Sequence, residues 1–159
     1  MKKIVAYFSA TGVTKVVAEA LAEAENADLF EIIPKTLYNK ADLNWNDKKS
    51  RSSLEMQNTA TRPSIANRIA NMEDYDVVFI GFPIWWYVAP AIINTFLESY
   101  DFSNKIIVPF CTSGGSGTGK TDEGLKSRCS NSAKWHPVKL LNGKINKEQL
   151  AVWVKNLAL

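Results

Sequence analysis

Cysteine is scarce in this chain: of 159 residues only Cys111 and Cys129 carry thiols. Two are too few for a disulfide framework, and no C-x-x-C spacing offers a redox or zinc pair. Histidine is scarcer, with His136 alone, and with the two cysteines it forms no metal-ligand spacing. No apolar run approaches the roughly 18 residues of a membrane span, and the start has no signal-peptide pattern. Those absences lead to the expectation of a soluble, cytoplasmic protein with no membrane partner.

Charge of one sign is also lacking over any long stretch. The formal net charge is +3, with ten Lys/Arg against twelve Asp/Glu in residues 1–100 and nine against four in residues 101–159. The basic half scatters its cations as Lys120, Lys126, Arg128, Lys134, Lys139 and Lys144. Without a dense run or a recognised module, nucleic acid is not an expected partner.

What is present suits one domain over residues 1–159, large enough to bury a core. Ile4 to Phe8 is almost continuously apolar, as in a strand covered on both faces. A helix follows, with Val13, Val16, Val17, Ala20, Leu21 and Ala24 on one side. Further strands are expected at Ala27 to Ile33, Tyr75 to Gly81, Lys105 to Phe110 and Trp135 to Leu141, and further helices at Ser64 to Asn71, Val88 to Glu98, Thr121 to Arg128 and Asn146 to Leu157. Residues 34–63 are expected to form either a long polar surface excursion or a loop with a short helix around Ser53 to Asn58. Five strands alternating with helices predict a doubly wound α/β fold built on a parallel sheet. Ligands of such sheets sit beyond the carboxyl ends of the strands.

Three loops leave those ends. Ser9-Ala10-Thr11-Gly12-Val13-Thr14 places three hydroxyls and a glycine at the opening of the first helix. Free amides and the helix terminus there can hold an anion without any cation; Ser9 or Thr11 could instead simply cap the helix. Phe82-Pro83-Ile84-Trp85-Trp86-Tyr87-Val88-Ala89-Pro90 presents consecutive aromatics that cannot all enter the core. A planar heterocycle can stack on an indole, with Trp85 the first candidate and Trp86 or Tyr87 the second. Thr112-Ser113-Gly114-Gly115-Ser116-Gly117 supplies a bare backbone wall.

Gly114 to Thr121 also satisfies G-x-x-x-x-G-K-[ST], the pattern of a triphosphate-binding loop. Such a hydrolase needs an aspartate at the end of a second strand to hold Mg²⁺. Here the last strand runs out into Leu141-Asn142-Gly143, and Asp76 starts its strand rather than ending it. A ligand with one phosphate and a large flat ring fits the three loops better. A dinucleotide sheet would show G-x-G-x-x-G after the first strand, and only Gly12 occurs there.

On these residues the whole chain resembles the flavodoxin family. The phosphate-loop pattern of hydroxyl residue, any, Thr, Gly, any, Thr appears as Ser9 to Thr14, the ring-flanking loop as Pro83 to Tyr87, and the later loop as Thr112 to Gly117. The resemblance implies a five-stranded parallel sheet of order 2-1-3-4-5. It also implies flavin mononucleotide (FMN) held noncovalently by Ser9, Thr11, Gly12, Val13, Thr14, Pro83, Ile84, Trp85, Trp86, Tyr87, Thr112, Ser113, Gly114, Gly115 and Gly117. The flavin would carry the redox chemistry, with no catalytic side chain and no metal. The expected function is that of an electron carrier serving redox partner proteins or a small acceptor. Two alternatives stand beside it: an NAD(P)H-dependent FMN reductase of quinones or similar acceptors, and a binding or regulatory module without cofactor. The chain departs from many members in its net basic charge and in having no tyrosine between Cys111 and Lys120 to cover the second ring face.

Overall fold

A computed structural model describes residues 1–159. Strands β1 (Lys3–Tyr7), β2 (Asp28–Glu31), β3 (Val77–Pro83) and β4 (Ile106–Thr112) form a parallel sheet, completed by the two-residue strands β5 (Lys134–Trp135) and β6 (Lys139–Leu140). The order is β2-β1-β3-β4-β5, with β6 also on β4. β5 and β6 thus occupy one fifth position in two pieces.

That division corrects the expected continuous strand from Trp135 to Leu141. His136 donates to Ile107 and Leu141 donates to Cys111, so alternate carbonyls of β4 face the fifth position. Between those partners stands Pro109, which has no N–H to offer, opposite the break at Pro137. The amide of Val138 turns away to the Asp122 carboxylate at 2.9 Å.

Alternation along each strand builds two cores. Ile4, Ala6, Phe8, Val78, Ile80, Phe82, Ile107 and Cys111 face one side, and Val5, Tyr7, Val77, Phe79, Val108 and Phe110 face the other. Helices α1 (Val13–Glu25) and α5 (Lys147–Leu157) cover the second face. α1 buries Thr14, Val17, Ala18, Leu21 and Ala22, so its inward stripe is turned from the expected one and Val13 and Val16 are exposed.

The first face is covered by α3 (Ala91–Glu98), α4 (Thr121–Lys126) and the β2–β3 connection. α3 starts later than expected because Pro90 disfavours helical geometry at Ala89. α2 (Arg51–Gln57) is the short helix of the excursion, capped by the Ser50 hydroxyl.

The helix expected from Ser64 to Asn71 does not form. Lys35 donates to Ser64 and Ala66 donates to Ile33, so this stretch runs antiparallel to the chain leaving β2. Asn67 accepts from the Ile33 amide and donates to the Glu31 carbonyl, closing backbone groups at the sheet edge. Those pairings outweigh the helical spacing of Ile65 and Ile69.

Candidate functional site

The β1–α1 loop is organised around Ser9 and Gly12. Ser9 Oγ accepts from the amides of Gly12 and Lys15, each at 3.1 Å. Gly12 caps α1 at φ +92° and ψ −9°, a left-handed geometry that suits glycine. A Cβ there would meet nothing within 4 Å, so open space lies over the turn. The amides of Thr11, Val13 and Thr14 donate to no group of the chain. Three unpaired N–H groups therefore lie at and just before the head of a 13-residue helix, where its dipole favours negative charge.

The hydroxyls of this loop divide. Thr11 is exposed, while Thr14 is buried and shares a 2.8 Å hydrogen bond with Thr112 at the end of β4. That bond ties the first loop to the third.

The aromatic loop is a two-residue hairpin. Trp85 and Val88 exchange backbone bonds of 2.9 and 3.1 Å, leaving Trp86 (φ +48°) and Tyr87 (φ +64°) as the central pair. Asn-Gly sequences usually fill such a turn, and two large residues there hold backbone strain. The result sorts the three aromatics. Trp85 packs inward, edge-on to Phe8 (5.7 Å, 89°) and to Tyr38 (5.6 Å, 74°), and keeps partial exposure. Trp86 and Tyr87 are displayed, 44% and 61% exposed. Pro83 ends β3, and the Ile84 amide donates to Thr112, so this loop too is fixed to the end of β4.

Asn142 braces the third loop. Its Oδ1 accepts from the Ser113 amide at 2.9 Å and its Nδ2 donates to the Ser113 carbonyl at 3.0 Å. Ser113 Oγ accepts from Gly115 and pairs with Ser116 Oγ. Gly114 and Gly117 keep free amides, and both are exposed. Farther along, Gly119 presses on Tyr87: a Cβ would stand 2.4 Å from its carbonyl oxygen. The hydroxyl of Thr121, which a triphosphatase would give to Mg²⁺, is buried and donates to the Thr118 carbonyl. Asp122 is committed to Val138. The triphosphate-loop pattern is therefore one of sequence without the corresponding metal-holding groups.

The excursion reaches the site through Tyr38. One side of its ring carries the Arg51 guanidinium at 3.8 Å, and its hydroxyl donates to Glu55, which also pairs with Arg51. The ring is tilted against Phe8 at 5.6 Å and meets Trp85 as above. Beyond Tyr38 an open groove, lined by Thr11, Lys40 and Trp45 among others, separates the excursion from the first loop.

The family model described as flavodoxin matches residues 2–157. The chain belongs to the flavodoxin family. A protein from Bacteroides eggerthii assigned to the flavoproteins has 46% sequence identity and a TM-score of 0.93, with 99% of this chain and 98% of that one covered. A similarly assigned protein from Bacteroides uniformis shows 44% identity, a TM-score of 0.90 and 97% coverage of both chains. A flavoprotein from Lactobacillus acidophilus, solved in complex with FMN, shares the fold at 20% identity and a TM-score of 0.69, over 87% of this chain and 92% of its own. No functionally curated protein matches significantly.

Within this flavodoxin-family chain both thiols are held protonated. Burial pushes the Cys111 thiol up to about 12, with Asp122 adding to the shift, and burial alone pushes Cys129 up to about 12. Burial and the Glu55 carboxylate raise Tyr38 far above the usual phenol range, so it stays neutral. No cluster of His, Cys, Asp and Glu could hold a metal, and no helix is long and apolar enough to cross a membrane.

Two contributors escape sequence reasoning. Asn142 is 29 residues from Ser113, and only its place after the last strand hinted at the site. Tyr38 stands in a polar stretch with no periodicity to mark it. In the same stretch Trp45 lines the groove and Arg51 covers the Tyr38 ring.

Proposed function

We propose that this flavodoxin-family protein binds FMN noncovalently and serves as an electron-transfer protein. The observation that carries the reading is the trio of unpaired amides at Thr11, Val13 and Thr14 around left-handed Gly12. Neutral donors at a helix head suit a phosphomonoester that stays bound. Ser9 Oγ, already accepting two amides, fixes the turn and has its own proton to donate; the exposed Thr11 hydroxyl adds another.

Trp86 and Tyr87 then line the ring, with Trp85, Pro83 and Ile84 as their support. Gly114, Gly115 and Gly117 let backbone approach the polar ring edge, with the free Gly114 amide as donor, while Thr112 and Ser113 fix that wall. FMN, when bound, supplies the redox chemistry. The protein supplies the electrostatics: residues 9–15, 83–90 and 112–120 contain no Asp or Glu, so no carboxylate from these loops opposes negative charge in the site.

The basic residues of the second half favour an acidic partner protein or an anionic small acceptor. The two free thiols are compatible with a reducing cytoplasm. A second reading, direct reduction of small acceptors by NAD(P)H, is favoured by one feature. The third loop carries no aromatic between Thr112 and Lys120 to cover the outer ring face.

The test is to mix the purified chain with FMN, desalt it and record the visible spectrum. Flavin absorbance should elute with the protein at one equivalent. Flavin that separates completely contradicts the proposal.

A further inference from the structure

The groove between the first loop and the excursion is not used by a ligand confined to the three loops. Its volume, about 930 Å³, lies in the range of roughly 300–1,000 Å³ typical of small-molecule sites. Trp45 stands in its lining with 71% of its surface exposed, a large indole that the fold does not use for packing. Lys40 lines the same groove and makes no ion pair. At the opposite wall is Thr11, whose amide is one of the three free donors of the phosphate seat.

Asn39, in the lining, and Asp42 cap one another, with the Asn39 amide donating to Asp42 at 3.0 Å and the Asp42 amide donating to Asn39 at 2.8 Å. The Asp42 carboxylate keeps its charge but makes no ion pair with Lys40, whose ammonium has no salt-bridge partner. The groove thus offers a flat apolar platform and a cation and opens directly onto anion-binding amides. That combination matches a planar base joined to phosphate.

From this we infer that the groove is a subsite for an adenine nucleotide, with the base on Trp45 and its phosphate on Lys40, at the side of the groove away from the seat that Thr11 serves. The inference rests on the phosphate seat proposed above. Two sources share this chemistry: the adenylate half of a flavin dinucleotide (FAD) whose other phosphate occupies the seat, or that of a nicotinamide dinucleotide bound beside FMN.

Calorimetric titrations of the whole chain separate them, using FMN and FAD on the flavin-free protein and AMP on the FMN-loaded protein. Trp45→Ala should leave FMN affinity unchanged, because Trp45 lies outside the three loops. It should weaken FAD or AMP binding about tenfold or more, the scale of a lost base–indole stack. Lys40→Gln should weaken the same ligand and make its binding less salt-dependent. A loss seen with FAD identifies the ligand's own adenylate half; a loss seen with AMP alone identifies a co-substrate. If FMN binds and neither substitution alters FAD or AMP, or if Trp45→Ala weakens FMN equally, the groove assignment is overturned. If the unsubstituted chain takes neither FMN nor FAD, the flavin reading itself fails.

Discussion

Gly12→Asp lowers the affinity for FMN at least about 100-fold while costing riboflavin much less. The new side chain finds open space, since a Cβ at Gly12 meets no atom within 4 Å, so collapse of the loop is not the cause. A side chain at φ +92° strains the backbone by roughly 1–3 kcal/mol; to the extent that the free loop relaxes this, re-forming the turn weakens both ligands alike. The carboxylate adds a term that only the phosphate feels. Like charges about 4 Å apart near a protein surface repel by about 4 kcal/mol at an effective dielectric constant of about 20. Gly12→Asn keeps the strain and omits the charge. Fluorescence titration of both flavins against both variants should place asparagine between glycine and aspartate for FMN, and close to aspartate for riboflavin. Equal losses of the two flavins in Gly12→Asp would remove the phosphate from this loop.

The largest effect on stability is expected at Gly81. It lies within β3 opposite Phe110 of β4, and a Cβ there would stand 2.2, 2.4 and 2.9 Å from three atoms of the Phe110 ring. Phe110 is fully buried in the core beneath α1 and α5, so the ring has no free space into which to turn. Gly81→Ala should therefore destabilise the fold by about 3 kcal/mol, the upper end of ordinary overpacking. At this chain length that corresponds to a thermal midpoint lower by about 6–12 °C, measurable by circular dichroism. Adding Phe110→Leu should recover part of the loss by vacating the ring's volume. A double variant less stable than both single variants would show that the contact is not the cause.

The central sheet was legible in the sequence because β1, β3 and β4 are buried on both faces and must be apolar throughout. The break between β5 and β6 was not legible. Pro137 suited the start or edge of a continuous strand, and its match to Pro109 on the neighbouring strand is a pairing that no local pattern reports. Ile65 and Ile69 carried a helical spacing, yet Asn67 and its neighbours serve the edge of β2, so a tertiary partner overrode the local period.

At the site, composition pointed to three loops, and the fold decides how their groups are turned. Serine, threonine and glycine in the first loop marked a place for an anion. That Thr14 turns its hydroxyl to Thr112 depends on a residue 98 positions away. Among the three aromatics the sequence favoured Trp85 for the ring, and the hairpin gives Trp86 and Tyr87 the greater exposure. Its left-handed central residues are not the glycine or asparagine that would have signalled such a turn.

Amide NMR of the isotope-labelled chain tests directly whether backbone donors hold the phosphate. On adding FMN, the Thr11, Val13 and Thr14 N–H resonances should shift strongly downfield, while an equal occupancy of riboflavin leaves them nearly in place. FMN binding that shifts the Trp86, Tyr87 and Gly114 signals but leaves those three amides still would contradict the account.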